Sequence, residues 1–191
     1  MRIPCALVLT LAILQPAHGQ DKKDKGEFPP VQRGLEHKVL ESLVGVWDAK
    51  VKLYVNPEKP LESKGVMTRT MILGGNFLQE SFQGEFAGKN FAGLGIIGYD
   101  YNKDKFTTTW HDTMNTSMTL THGSFDSRKK TLTSTGEDFE PNTKKLMKVR
   151  DVLRIISADE QILEMYRRPA GEKEDYKIME VHFTRRKADK K

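Results

Sequence analysis

The chain has a single cysteine, Cys5, and it lies inside an amino-terminal apolar stretch. With that stretch removed no thiol remains, which excludes disulfide stapling, cysteine nucleophiles and thiolate metal sites. Histidine is scarce as well. Beyond the amino-terminal stretch only His37, His111, His122 and His182 occur, none at the paired spacing of a metal site. No metal or other cofactor is therefore expected. No serine stands in a nucleophile-elbow context, and no catalytic residue is assigned. Long apolar runs are missing too: residues 3–14 form a run of about a dozen, too short for a stable membrane span. The formal net charge of +5 is concentrated at the carboxyl end, where residues 185–191 carry five bases and one acid. The body is close to neutral. A short basic tail of this kind is a solubilising end, and without a basic patch interleaved with aromatics nucleic acid is not an expected partner.

What is present begins with an export signal. Arg2 supplies a positive start, residues 3–14 an apolar segment, and Ala17 and Gly19 the small residues of a cleavage site. Cleavage is expected after Gly19, with the mature protein periplasmic or extracellular. Removing residues 1–19 leaves 172 of 191 residues, enough for one domain with a substantial core. Residues 20–30 are charged and end in Pro29-Pro30, which predicts a flexible leader. The domain is expected over 31–187, followed by a basic tail over 188–191.

Residues 31–44 hold the one helical pattern, with Leu35, Val39 and Leu43 every four residues and Leu40 and Val44 widening the stripe. Gly45 suits the end of that helix, and Trp47 opens the first strand. Strands are predicted near 46–55, 63–73, 77–86, 90–101, 105–113, 117–125, 130–139, 146–157, 161–168 and 175–186. The links between them are short, which joins antiparallel neighbours, because parallel crossovers need a dozen residues or more. The expected fold class is all-β: about ten antiparallel strands in an up-and-down barrel with one amino-terminal helix. Closure removes the exposed edges of a flat sheet. A two-layer sandwich is the competing architecture.

One hairpin allows a finer reading. Phe106, Thr108, Trp110 and Asp112 share a face, and Met118, Leu120 and His122 share another. A three-residue loop at 114–116 would pair Trp110 with Leu120, Asp112 with Met118 and Thr108 with His122. That places Trp110, Asp112, Met118 and His122 in the barrel interior, with Arg69, Arg150 or a hydroxyl as partner for the Asp112 carboxylate. Residues 93–98 match G-x-G-x-x-G, but the run continues as strand, so it cannot offer a helix terminus to a pyrophosphate. Asp100, Asn102 and Asp104 resemble the start of a calcium loop, yet Lys105 and His111 stand where glycine and a carboxylate are required. His111 and Asp112, adjacent on a strand, project to opposite faces and form no relay. Residues 115–117, Asn-Thr-Ser, form a glycosylation sequon.

Helix, then Gly45-Val46-Trp47 at the first strand, resembles the G-x-W signature of lipocalins and other calycin barrels. That resemblance implies a tryptophan packed across the closed end against an arginine of the last strand, here Arg185. The strand number is nearer the fatty-acid-binding and nitrobindin-like branches than the eight-stranded lipocalins. A wider pattern runs from residue 40 to 187: Leu-Val-Gly-Val-Trp at 43–47, Ile72 to Leu78, Phe91 to Asp100, Trp110-His111-Asp112, Met118 and Phe183-Thr184-Arg185. It is similar to domain of unknown function family 1579. The resemblance implies a calycin-like barrel and carries no activity, cofactor or catalytic residue.

The expected function is that of an exported, non-enzymatic barrel holding a small apolar or amphipathic molecule, contacted by Trp110, Asp112, Met118, His122 and Arg69. Two other readings compete: an enzyme using Asp112 as cavity acid or base, and a ligand-free barrel acting through its surface in the cell envelope. Oligomeric state is not legible.

Overall fold

A computed structural model describes residues 33–56, 58–86, 88–140 and 143–187. The expected signal peptide, leader, first two residues of the domain and basic tail lie outside the described residues. A helix, α1 (Leu35–Leu43), leads into ten strands: β1 (Gly45–Leu53), β2 (Leu61–Ile72), β3 (Phe77–Phe86), β4 (Lys89–Asp100), β5 (Lys105–Asp112), β6 (Thr119–Asp126), β7 (Thr131–Phe139), β8 (Leu146–Ile155), β9 (Glu160–Pro169) and β10 (Tyr176–Arg185). Each strand pairs antiparallel with its sequence neighbours, and β1 also pairs with β10, so the sheet closes into a barrel. The expected fold class is correct, and no sheet edge is left open.

Helix α1 buries His37, Leu40 and Leu43; of the expected stripe Leu40 and Leu43 are buried, Val39 and Val44 partly so, and Leu35, at the first position of the helix, is exposed. It covers one end of the barrel, where Leu40 and Leu43 pack with Leu78, Ile97, Phe106, Leu132 and Leu153. Antiparallel order then assigns the β1–β2, β3–β4, β5–β6, β7–β8 and β9–β10 connections to the opposite end. Gly45 joins helix to barrel at φ +141°, a backbone conformation that favours glycine. Space demands glycine there as well, since a Cβ would lie 2.3 Å from Arg185 Nη1.

Trp47 is wholly buried at this end, and its Nε1 donates to the Leu43 carbonyl (3.0 Å), an otherwise unmatched acceptor of the last helical turn. The Arg185 guanidinium stacks 4.1 Å from the Trp47 ring. Arg185 also donates to the Val44 carbonyl (2.6 Å) and the Ala158 carbonyl (2.8 Å), tying α1 to the β8–β9 turn. A second guanidinium, that of Arg69, lies 6.0 Å from the same ring and 4.7 Å from Phe183. Arg69 is 2% exposed, with Nε on Glu80 (2.6 Å) and Nη1 on Gln161 Oε1 (2.8 Å).

The β5–β6 register differs from the expectation. Trp110 pairs with Thr119, Thr108 with Thr121 and Thr107 with His122. The loop has six residues instead of three, because two side chains build turns inside it. Asp112 Oδ1 accepts the Met114 N–H (2.8 Å) and Asn115 Oδ1 the Ser117 N–H (2.7 Å). One step of slip turns every β6 side chain over. Thr119 and Thr121 therefore face inward, while Met118, Leu120 and His122 face outward.

Two measurements check the closed end. Arg69→Met strips Glu80 of its buried partner and is expected to destabilise by roughly 3–5 kcal/mol in denaturant unfolding, whereas Arg69→Met with Glu80→Leu recovers most of the loss. Tyr99 donates its hydroxyl to Asp104, and that bond, with burial, pushes the phenol from an ordinary value near 10 up to about 12. Its folded pKa is the raised one, so this stabilisation is complete below about pH 10 and is lost as pH rises towards 12. Ultraviolet titration should show Tyr99 ionising late, and Asp104→Asn should return it towards the ordinary range.

Candidate functional site

Alternation fixes which side chains enter the barrel. Towards the helix they are sealed. Towards the opposite end, inward side chains on β5 to β10 keep accessible surface: Thr108, Trp110 and Asp112, then Thr119 and Asp138, then Met147, Met165 and Met179. Asp151 points inward from the middle of β8 and still has 24% of its side chain accessible. Wall residues facing the barrel axis stay accessible only where the axis is unfilled. The interior is thus sealed at the helix end and accessible to solvent towards the other. Met114, Met118 and Phe139, all exposed, stand at this open end.

Trp110 marks the boundary between the halves. Its ring lies over Gly93, where a Cβ would be 2.2 Å from Cζ2, so the strand glycines of the 93–98 motif serve packing. At Gly95 a Cβ would meet Trp110 Cε3 at 3.0 Å and Glu80 Oε2 at 3.1 Å, placing the indole next to the sealed Arg69–Glu80 pair. The indole Nε1 donates to Asp112 Oδ2 (3.2 Å). Phe91 lines the same side, 5.8 Å from Phe82 and 5.9 Å from Phe86.

A polar band crosses the facing strands. Thr108 sits opposite Thr121, and Ser134 opposite Asp151. None of the described residues hydrogen-bonds the hydroxyls of Thr108, Thr121 or Ser134. Asp151 Oδ1 accepts from Arg167 Nη1 at 3.1 Å. Burial pushes the Asp151 carboxyl above the usual carboxylate range, opposed by the charges of Arg167 and Arg150 and the Arg167 hydrogen bond. The band is bordered by Leu163, Met165 and Met179, and the opposite wall by Val51, Met67 and Phe82. One wall of this accessible interior is polar, the rest apolar.

Of the five expected contact residues, three point inward and two do not. Trp110 and Asp112 line the lumen, with Asp112 bonded to the indole and its own loop. Arg69 is interior but sealed beyond Trp110, and its carboxylate partner is Glu80, not Asp112. Met118 is 61% exposed on the loop side. His122 is on the outer wall, its Nδ1 3.0 Å from Thr107 Oγ1. Arg150 is outside as well, bonded to Asp175 (2.7 Å) and stacked 4.0 Å from Tyr166. His111 lines a shallow outer depression of about 320 Å³ with Ser81, Gln83 and Leu94.

The interior ion pair Asp151–Arg167 was missed. Met147, Val149, Asp151, Leu153 and Ile155 form an alternating apolar set interrupted by one acid, a signal for a buried carboxylate on β8. On β9 both faces carry apolar residues, Ile162 beside Leu163 and Met165 beside Tyr166, which hides the facing of Arg167. Among the described residues no group of three or more His, Cys, Asp or Glu is placed to hold a metal ion.

The two tryptophans report on the halves separately. Acrylamide should quench Trp110 and spare Trp47, so Trp110→Phe should remove the quenchable component of the emission and leave the protected one.

The family model described as "Protein of unknown function (DUF1579)" matches residues 32–185. No curated protein matches the chain. Among solved structures, Rv2717c from M. tuberculosis is similar at 14% identity and a TM-score of 0.58, over 82% of this chain and 100% of that one. The S-type phycobiliprotein lyase CPES from Guillardia theta is similar at 9% identity and a TM-score of 0.57, over 83% and 96% of the two chains. At such identities the likeness is one of fold, and it agrees with a closed barrel. The match across nearly the whole described domain makes this chain a member of the DUF1579 family of proteins of unknown function.

Proposed function

We propose that this protein is an exported binding protein that holds one small amphipathic molecule in the open half of its barrel. The observation that carries the reading is the accessible inward surface on β5 to β10: Trp110 and three methionines beside three unpartnered hydroxyls and an ion pair. A cavity filled by the protein's own side chains would leave no such surface. Methionine adapts to irregular apolar shapes, and a few polar groups in an apolar cleft orient a ligand. Support for a small-molecule role also comes from the barrel company it keeps, which includes a phycobiliprotein lyase. Asp112, the acid considered for catalysis, has one oxygen on Trp110 and the other on Met114, which suits a positioning role. Export rests on the amino-terminal pattern, Arg2 followed by residues 3–14 and small residues at Ala17 and Gly19.

Native mass spectrometry of protein recovered from the exported compartment tests both parts. The chain is expected to begin at Gln20 and to carry a stoichiometric small molecule. Titration with a panel of amphiphiles should change Trp110 emission saturably, and Trp110→Phe should abolish the change. Absence of saturation across the panel counts against a ligand-binding lumen.

A further inference from the structure

The lumen contains an asymmetry that indicates the sign of its ligand. Among the described residues its carboxylates at the open end are in use, and deeper in the wall only Asp151 Oδ2 is without a partner. Asp112 accepts from Trp110 Nε1 and the Met114 N–H, and Asp138 from the Thr119 hydroxyl (2.8 Å) and the Phe139 N–H (2.8 Å). Its strongest donor is not. The Arg167 side chain is 10% accessible, and only Nη1 is bonded, to Asp151 Oδ1 (3.1 Å) and the Tyr166 carbonyl (2.8 Å). Among the described residues Nε and Nη2 have no partner, yet neither is sealed from solvent-sized space. Those two atoms form the edge of a guanidinium that receives a carboxylate through two parallel bonds. A side chain nine-tenths buried with that edge unmatched is costly unless something fills it.

We infer that Arg167 anchors the carboxylate of an amphipathic ligand through Nε and Nη2, with Ser134 and Thr121 supplying hydroxyl donors and the apolar body lying between Met165, Met179 and Trp110. The inference rests on the lumen being a binding site. Asp151 meets the guanidinium through one long contact at Nη1, on the side away from the free edge, and burial already disfavours its ionised form. It therefore competes weakly with an incoming carboxylate. The apolar surroundings strengthen a charge-assisted pair relative to water.

The experiment compares three probes of equal chain length, dodecanoate, dodecan-1-ol and dodecylamine, titrated below their micellar concentrations and read by Trp110 emission and calorimetry. Wild-type protein is expected to bind dodecanoate at least about tenfold more tightly than the alcohol, the scale of a charge-assisted hydrogen bond. Arg167→Met should erase that preference by weakening dodecanoate far more than the alcohol. Arg167→Lys keeps a charge beside Asp151 but lacks the two-pronged edge, so it should fold and lose most of the preference. Circular dichroism of both variants separates loss of binding from loss of fold, and if Arg167→Met does not fold the lysine variant decides. Equal affinity for acid and alcohol, or a preference for the amine, overturns the anchor while leaving the lumen reading in place. No saturable binding of any probe overturns both.

Discussion

The closed end of the barrel is organised around one tryptophan held between two guanidiniums. Trp47 stacks under Arg185 and faces Arg69, and its indole N–H meets the last turn of α1. The helix end and β1, consecutive in the chain, thereby meet the end of β10, 141 positions on, at one ring. β1 and β10 are also the strands whose pairing closes the sheet. Removing that ring would unseat the helix and weaken the seam together.

Closure at one end fixes what the other end can do. Arg69 spends its charge on Glu80 and Gln161, so the ion pair next to Trp47 is sealed and structural. Gln161 Nε2 is left without a protein partner among the described residues, in the sealed layer on the helix side of Trp110. Beyond the indole the lining changes character: glycines replace bulky residues on β4, hydroxyls appear on β5 to β7, and methionines on β8 to β10. A gradient from packed to open along the axis is the property on which any binding role depends.

Much of this was readable from the order of residues. Ten strands follow from short turn-rich links and an absence of helical periodicity after Val44, and all ten occur within about three residues of the expected bounds. The pairing of Trp47 with Arg185 followed from a resemblance, and the contact is present. The facing of Trp110 and Asp112 followed from alternation on β5. Met118 and His122 were misplaced for a single reason: loop length across 113–118 depends on side-chain hydrogen bonds by Asp112 and Asn115, and an error of one residue in register inverts a strand.

The sequence by itself determined the all-β character, the antiparallel order and the helix that covers one end, because these depend on local periodicity and on turns too short for any other connection. Only the tertiary structure decided which polar residues share the interior. Arg167 meets Asp151 across β8 and β9, and Arg69 meets Gln161 across the barrel, 92 positions away. Such encounters depend on register and shear summed over many strands. Local pattern has no access to that sum, and it separates the sealed charges of this barrel from the ones left facing its open lumen.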